Sequence, residues 1–228
     1  MAEIVTSIYS DRYADEYPSL YIEPWQRKHE LNETNLRRIL QALGPDQAWL
    51  DAACGPAWHL SRFPERPHRV GLDLSMAQLR RARRNAPDAS FVRGDMASAP
   101  FAAQSFDLVT NFWAAYCYLG SWHRIEALLR NMVYWLRPGG ALYMEVLLAR
   151  DLESFNRSRF SSATGFRVEP LIEDYSEWIY SDSGGRHVMA SPPLDLFVDF
   201  LAPQFERIEA THDGAFMVHL IASDRHPR

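Results

Sequence analysis

Acidic side chains recur at the ends of apolar runs in the first half of the chain. Asp51 lies in "LDAACGPAWHL", Asp73 in "VGLDLS" and Asp95 in "VRGDMAS". A fourth such end, "TNFWAAYCYL", carries Asn111 and a run of aromatics. The first segment holds Ala52, Ala53, Cys54, Gly55 and Ala57, small enough for a ligand to approach backbone N–H groups at the start of a helix. It lacks the G-x-G-x-x-G pattern of a pyrophosphate loop, and Pro56 removes one amide that a diphosphate would use. Asp51 at its entrance suits a ligand with a positive amino group. Asp73, about 20 residues further on, is placed to accept from the two hydroxyls of a ribose, with Leu74 beside it. The Asp95 carboxylate and the next N–H, that of Met96, can read the amino and ring-nitrogen edge of an adenine.

These residues need a scaffold that brings four chain segments together. "AWLDAA", "HRVGLDL", "ASFVRGD", "SFDLVTNF" and "ALYMEVLL" read as strands. Helices alternate with them. In "WQRKHELNETNLRRILQAL", Leu31, Leu36, Ile39, Leu40 and Leu43 fall near helical spacing, and Gly44-Pro45 ends the run. Ser75 is a good N-cap for a helix to about Ala86, and "RIEALLRNMVYWL" is an amphipathic helix ended by "RPGG". The alternation predicts an α/β fold: a doubly wound, mostly parallel, seven-stranded sheet with helices on both faces and a small hairpin insertion. Ligands of such sheets bind beyond the carboxyl ends of the strands. After Arg150 the rhythm changes. Residues 151–175 read as polar and irregular, "EWIYS" and "RHVMAS" as a hairpin, "LDLFVDFLAPQF" as a helix, and "FERIEATHD" and "AFMVHLIAS" as a closing strand pair. One domain over residues 1–228 is expected, with a helical cap at 1–45, a core at 46–150, an insertion over the mouth of the sheet at 151–192 and a closing helix and strand pair at 193–228.

A ribose, an adenine and an amino acid tail without phosphate describe S-adenosylmethionine. The segments "WLDAACGPAWHL", "VGLDLSMAQLRRAR", "FVRGDMASAPF", "SFDLVTNFW" and "LRPGGALYMEV" resemble the class I S-adenosylmethionine-dependent methyltransferases, in the family's order and spacing from Ala48 to Val146. The resemblance implies S-adenosylmethionine as cofactor, S-adenosylhomocysteine as product, and Asp51, Ala53, Gly55, Asp73, Leu74, Asp95, Met96 and Asn111 as cofactor-binding residues. The family's first loop ends in G-x-G, whereas this chain has Gly55-Pro56-Ala57. The N-terminal "DRYADEYPSLYIEPWQRK" is similar to the opening segment of small-molecule N-methyltransferases that act on glycine and on amino sugars. There a tyrosine and a basic residue close over the cofactor, which carries over to Tyr13 and to Arg27 or Lys28.

Phe112, Trp113, Tyr116, Tyr118 and Trp122, beside Tyr17, Tyr21 and Trp25, exceed what a core needs at one strand end. Trp113, Tyr116, Tyr17 and Tyr21 are expected to form a substrate wall. Tyr118 stands where similar small-molecule methyltransferases often hold a histidine, and it is the candidate catalytic residue. With a reference pKa of about 10, a tyrosine is a weak base near neutral pH. The reaction expected is direct transfer to N or O of a small-molecule acceptor. Two other readings stay open: a cofactor-binding protein that does not methylate, and an NAD-dependent oxidoreductase, against which the missing pyrophosphate glycines count.

Net charge is −5 and the pI about 5.9, a balance that argues against nucleic acid as partner. The basic run "RRARR" reads as a solvated helix face. Two cysteines make no disulfide framework, the N-terminus is neither basic nor apolar, and no apolar stretch approaches the roughly 18 residues of a membrane span. A cytoplasmic monomer or homodimer without membrane contact is expected. Cys54 reads as a packing residue and His59 and His123 as helix-start polar residues. No H-E-x-x-H or paired-cysteine spacing occurs, so no metal is expected.

Overall fold

Alternate residues of the central strands point to opposite faces of the sheet, and each face finds its own helices. In the computed structural model, which describes residue 19 and residues 26–99, 101–158, 161–162, 165–182 and 185–227, β1 is Ala48–Ala52, β2 His68–Asp73, β3 Ser90–Arg93, β4 Phe106–Asn111 and β5 Leu136–Leu147. Trp49, Leu108, Ala141 and Tyr143 face one core, which α1 (Gln26–Leu43) closes with Leu36, Ile39 and Leu40, and α3 (Met76–Asn85) with Leu79 and Ala82. Leu50, Val109, Leu142 and Met144 face the other, closed by α4 (Trp122–Trp135) through Ile125, Leu128, Leu129, Met132 and Val133. This two-sided burial explains why the strands are nearly continuous apolar runs.

Among the described residues, seven strands form the main sheet in the order β3-β2-β1-β4-β5-β10-β9, with β9 at Phe205–His212 and β10 at Met217–Arg225. β1 to β5 run parallel, and β10 pairs antiparallel with both β5 and β9. The expected doubly wound fold is therefore present. Because Met217 pairs with Leu147 and Val218 with His212, the β9–β10 turn lies at the carboxyl edge of β1 to β5.

Local signals behave as physical chemistry requires. The side chain of Ser75 accepts the N–H of Gln78 and caps α3. Gly44 follows α1 at φ 100°, a conformation costly for any residue with a Cβ. Two expectations change. "RPGG" does more than stop α4: Phe106 pairs with Leu136 but Leu108 with Ala141, so these residues bulge out within β5. Residues 151–175 are not irregular throughout. They include part of α5 (Ala149–Phe155) and β6 (Arg167–Pro170), which joins β7 (Glu177–Asp182) and β8 (Gly185–Ala190) in an antiparallel sheet ordered β6-β7-β8. The expected helix near the C-terminal end is α6, Leu194–Leu201.

Candidate active site

The loop after β1 is held in a strained shape. Ala53 has φ 64°, Gly55 53° and Ala57 61°, all in the left-handed region. The alanine at the family's second glycine position therefore sits where glycine costs least, at a strain of roughly 1–2 kcal/mol. Ala57 is fully buried and leads into the short α2 (Trp58–Ser61). Its N–H goes to the Cys54 carbonyl at 2.9 Å. Cys54 is buried, and burial raises its thiol pKa well above the ordinary value. It packs against Gly71, where an added Cβ would lie 2.7 Å from the Cys54 Sγ.

Asp73 ties the second strand end to this loop. One carboxylate oxygen accepts the Gly55 N–H at 2.8 Å and the other the Ser75 N–H at 2.8 Å. Burial raises its pKa, and these N–H groups oppose the rise. The Gly55 amide is thus engaged by protein, which leaves the loop poorer still as a diphosphate cradle. Asp95 accepts the Ala97 N–H at 2.9 Å and an Arg124 guanidinium N–H at 2.8 Å. Asp73, Leu74, Ser75, Asp95 and Met96 all line one cavity of about 250 Å³, together with Ala53 and Gly55.

The fourth strand end contributes Trp113, Ala114 and Tyr118 to the same cavity. Trp113 at φ 57° and Ala114 at φ 47° form a consecutive left-handed pair before the 3₁₀ helix Ala115–Leu119. Such strain persists only where surroundings enforce it, and here the cause is visible. The Trp113 N–H donates to Glu145 Oε2 at 2.6 Å, and Lys28 Nζ, 4.0 Å from the centroid of the Trp113 ring, pairs with Glu145 Oε1. Glu145 is fully buried on the α1 face of β5. Burial alone would raise its pKa, but Lys28, His219 and the Trp113 N–H outweigh that and hold it at about 2. Burial draws Lys28 below its ordinary value, against the pull of Glu145.

The far side of the cavity is apolar. Leu147, Leu152, Phe155, Val168, Trp178, Tyr180, Met189, Phe216 and Met217 come from β5, α5, the small sheet and the β9–β10 turn. The Tyr118 ring meets His187 edge-on at 5.2 Å, which couples the 3₁₀ helix to β8.

Several expected site residues stand elsewhere. Asp51 is buried behind the loop, donated to by the Thr110 hydroxyl at 2.7 Å, and does not line the cavity. Burial raises its carboxyl to about 7. Asn111 also lies behind the site, donating to the Ala52 carbonyl at 2.8 Å. Tyr116 is fully buried, its hydroxyl accepts the Leu147 N–H at 3.0 Å, and its ring packs on Phe197, so it is core and not wall. Of the two basic candidates, Lys28 lines the cavity and Arg27 is exposed. His59 is buried against Phe112, with ring centroids 4.1 Å apart, and burial lowers its pKa well below the ordinary value. Tyr13, Tyr17 and Tyr21 fall outside the described residues. Among the described residues, no cluster of three His, Cys, Asp or Glu could hold a metal ion, and no helix is long and apolar enough to cross a membrane. The sequence reading missed Glu145, although a carboxylate inside the apolar run "ALYMEVLL" was its signal.

Residues 50–140 match the profile described as a methyltransferase domain. Residues 50–140 thus carry a methyltransferase domain. The chain is 37% identical over 98 residues to phthiotriol/phenolphthiotriol dimycocerosates methyltransferase 1 of Mycobacterium ulcerans, covering 41% of this chain and 35% of that protein. The chain thus spans about a third of that relative's length. It is 27% identical over 140 residues to the dTDP-3-amino-3,4,6-trideoxy-alpha-D-glucopyranose N,N-dimethyltransferase of Streptomyces venezuelae, covering 60% of this chain and 58% of that one. In fold, the chain is similar to SAM-bound CalS10, an amino pentose methyltransferase of Micromonospora echinaspora, with a TM-score of 0.66 at 22% identity, over 91% of this chain and 96% of that one.

The cavity's chemistry fits S-adenosylmethionine. A Cβ at Gly55 would meet nothing within 4 Å, so the loop leaves open room above its backbone. A half-buried carboxylate (Asp73) and a second acid beside a thioether (Asp95 and Met96) border that room.

Proposed function

We propose that the protein is an S-adenosylmethionine-dependent methyltransferase acting on N or O of a small-molecule acceptor. One observation carries the reading: a single cavity joins Asp73, Asp95 and Met96 on one side to Trp113, Tyr118 and the small sheet on the other. The bound cofactor supplies an activated methyl on a sulfonium, so the protein's task is alignment and exclusion of water. Asp73 would hold the ribose hydroxyls through the lone pairs that Gly55 and Ser75 leave open. Asp95 and the Met96 N–H would hold the adenine. Lys28, locked by Glu145 beside the Trp113 ring, would face the methionine end. Tyr118, braced by His187, would orient the acceptor. Leu152, Phe155 and the three-stranded sheet would keep water out.

The relatives include a phthiotriol/phenolphthiotriol dimycocerosates methyltransferase and an N,N-dimethyltransferase of a dTDP-3-amino-3,4,6-trideoxy-alpha-D-glucopyranose, which supports methyl transfer without choosing between N and O. Calorimetry with S-adenosylhomocysteine and with NAD, followed by labelled methyl transfer into a panel of amines and phenols, tests the reading. Heat for S-adenosylhomocysteine alone, with label in an acceptor, is expected. Heat for NAD would overturn it in favour of an oxidoreductase. Cofactor binding without transfer across the panel would favour a non-methylating protein.

A further inference from the structure

The β9–β10 turn sets a charge into a wall that is otherwise apolar. Phe155, Val168, Trp178, Met189 and Phe216 line this side of the cavity, and half-buried Asp213 lines it with them. The Oδ1 atom of Asp213 accepts the Ala215 N–H at 2.7 Å and the Met217 N–H at 3.1 Å, which fixes the carboxylate on the turn. Its Oδ2 atom accepts no hydrogen bond and joins no ion pair among the described residues.

The cations that line the cavity are bonded to other acids. Among the described residues they are Lys28, paired with Glu145, and Arg124, paired with Asp95 at 2.8 Å. Burial draws the Lys28 pKa down and Glu145 draws it up, with a smaller upward pull from Asp213. One ammonium facing two carboxylates leaves that corner of the cavity with a net negative charge. The sheet order also separates Asp213 from the acids assigned to the cofactor. Asp73 and Asp95 follow β2 and β3, whereas Asp213 follows β9, beyond β5. Four strand spacings of about 4.8 Å lie between β2 and β10. Asp213 therefore belongs to the acceptor side, on the same turn as Phe216, whose ring meets that of Phe155 with centroids 5.5 Å apart.

An acceptor seated here strips water from Oδ2, which is unfavourable unless the acceptor brings a donor, and least so if the donor is positively charged. A hydroxyl supplies a donor without a charge, and a phenolate would be repelled. We propose that Asp213 determines specificity on the acceptor side, taking a protonated amine on an apolar body through Oδ2. The proposal rests on the functional reading above and narrows it to transfer to nitrogen. The acceptor nitrogen gives a proton to water before it attacks, and its lone pair then forms the N–C bond while the S–C pair stays on sulfur. Asp213 stabilises the positive charge that the nitrogen regains in that step.

The test is calorimetric titration of the full chain, saturated with S-adenosylhomocysteine, using phenethylamine and phenethyl alcohol, which differ only in the end group. The amine is expected to bind at least about tenfold more tightly than the alcohol. Asp213→Asn keeps an acceptor for the Ala215 and Met217 N–H groups and removes the charge. It is expected to abolish the preference for the amine and leave the affinity for S-adenosylhomocysteine unchanged. The alcohol binding as tightly as the amine, no binding of the amine, or an Asp213→Asn chain that keeps the preference overturns the proposal. Weakened binding of S-adenosylhomocysteine in Asp213→Asn also overturns it, because Asp213 would then belong to the cofactor site. The comparison of the two probes on the wild-type chain decides the matter if the variant does not fold. Absence of heat for S-adenosylhomocysteine on the wild-type chain would instead overturn the methyltransferase reading, and the same titrations of the unloaded chain would then judge Asp213.

Discussion

Removing the charge of Glu145 while keeping its shape is the sharpest perturbation the site offers. In Glu145→Gln, the fully buried Lys28 ammonium loses its counter-ion, and the Trp113 N–H loses the ionised half of a 2.6 Å hydrogen bond. The carboxyl is held at about 2 against an ordinary 4.5, a difference equivalent to about 3 kcal/mol of native-state stabilisation. Breaking a buried pair by deleting one partner costs roughly 3–5 kcal/mol. The two routes agree, so Glu145→Gln is expected to lower stability by about 3 kcal/mol in urea unfolding at pH 7, with little change in m-value. Lys28 itself is drawn below its ordinary pKa by burial, so the pair as a whole is worth less than either half suggests. The double variant Lys28→Met, Glu145→Gln should therefore be more stable than Glu145→Gln alone. The pH dependence has a definite sign. Because the folded-state pKa is depressed, the stabilisation is fully present above about 4.5 and is lost as pH falls towards about 2. The gap between the wild-type chain and Glu145→Gln should close across that window. A loss below about 1 kcal/mol at pH 7, or a gap that does not change between pH 5 and pH 2, would refute the account of how Trp113 is held.

Asp73→Ala should weaken binding of S-adenosylhomocysteine by roughly 1.5–3 kcal/mol, the range for hydrogen bonds to charged groups. It should also lower the melting temperature, because the Gly55 and Ser75 N–H groups lose their acceptor. Calorimetry below the variant's transition checks the first part, and an unchanged dissociation constant would remove Asp73 from the cofactor site. Tyr116→Phe strands the Leu147 N–H in the core, a loss of about 1–3 kcal/mol in urea unfolding. Its KM for a methyl acceptor should stay put, and a raised KM at full stability would return Tyr116 to the substrate wall.

The main sheet and its helices were legible in the sequence because their signals are local. The apolar runs of β1 to β5, the Ser75 cap and the Gly44 stop each act within a few residues, and a right-handed crossover then leaves few ways to wind them. The strand ends that border the cavity were legible for the same reason. Which side chains point into it was legible only in part: Asp73, Asp95, Met96, Trp113 and Tyr118 line it as expected. Asp51, Asn111 and Tyr116 sit at the expected places in the chain, but each turns towards a partner at least 31 residues away: Thr110, Ala52 and Leu147. β6 escaped notice because only Val168 of its four residues is buried, and its pairing with β7 is what makes it a strand.

Sequence alone therefore determined the order of elements in the main sheet and the location of the crevice, since periodicity, caps and small-residue loops are properties of neighbouring residues. Tertiary structure decided the electrostatics and the acceptor side. Lys28 and Glu145 are 117 residues apart, and the apolar wall is gathered from α5, the small sheet and the β9–β10 turn. A buried charge finds its counter-ion, and an apolar wall its continuity, only once the chain has brought distant segments into contact and expelled the water between them.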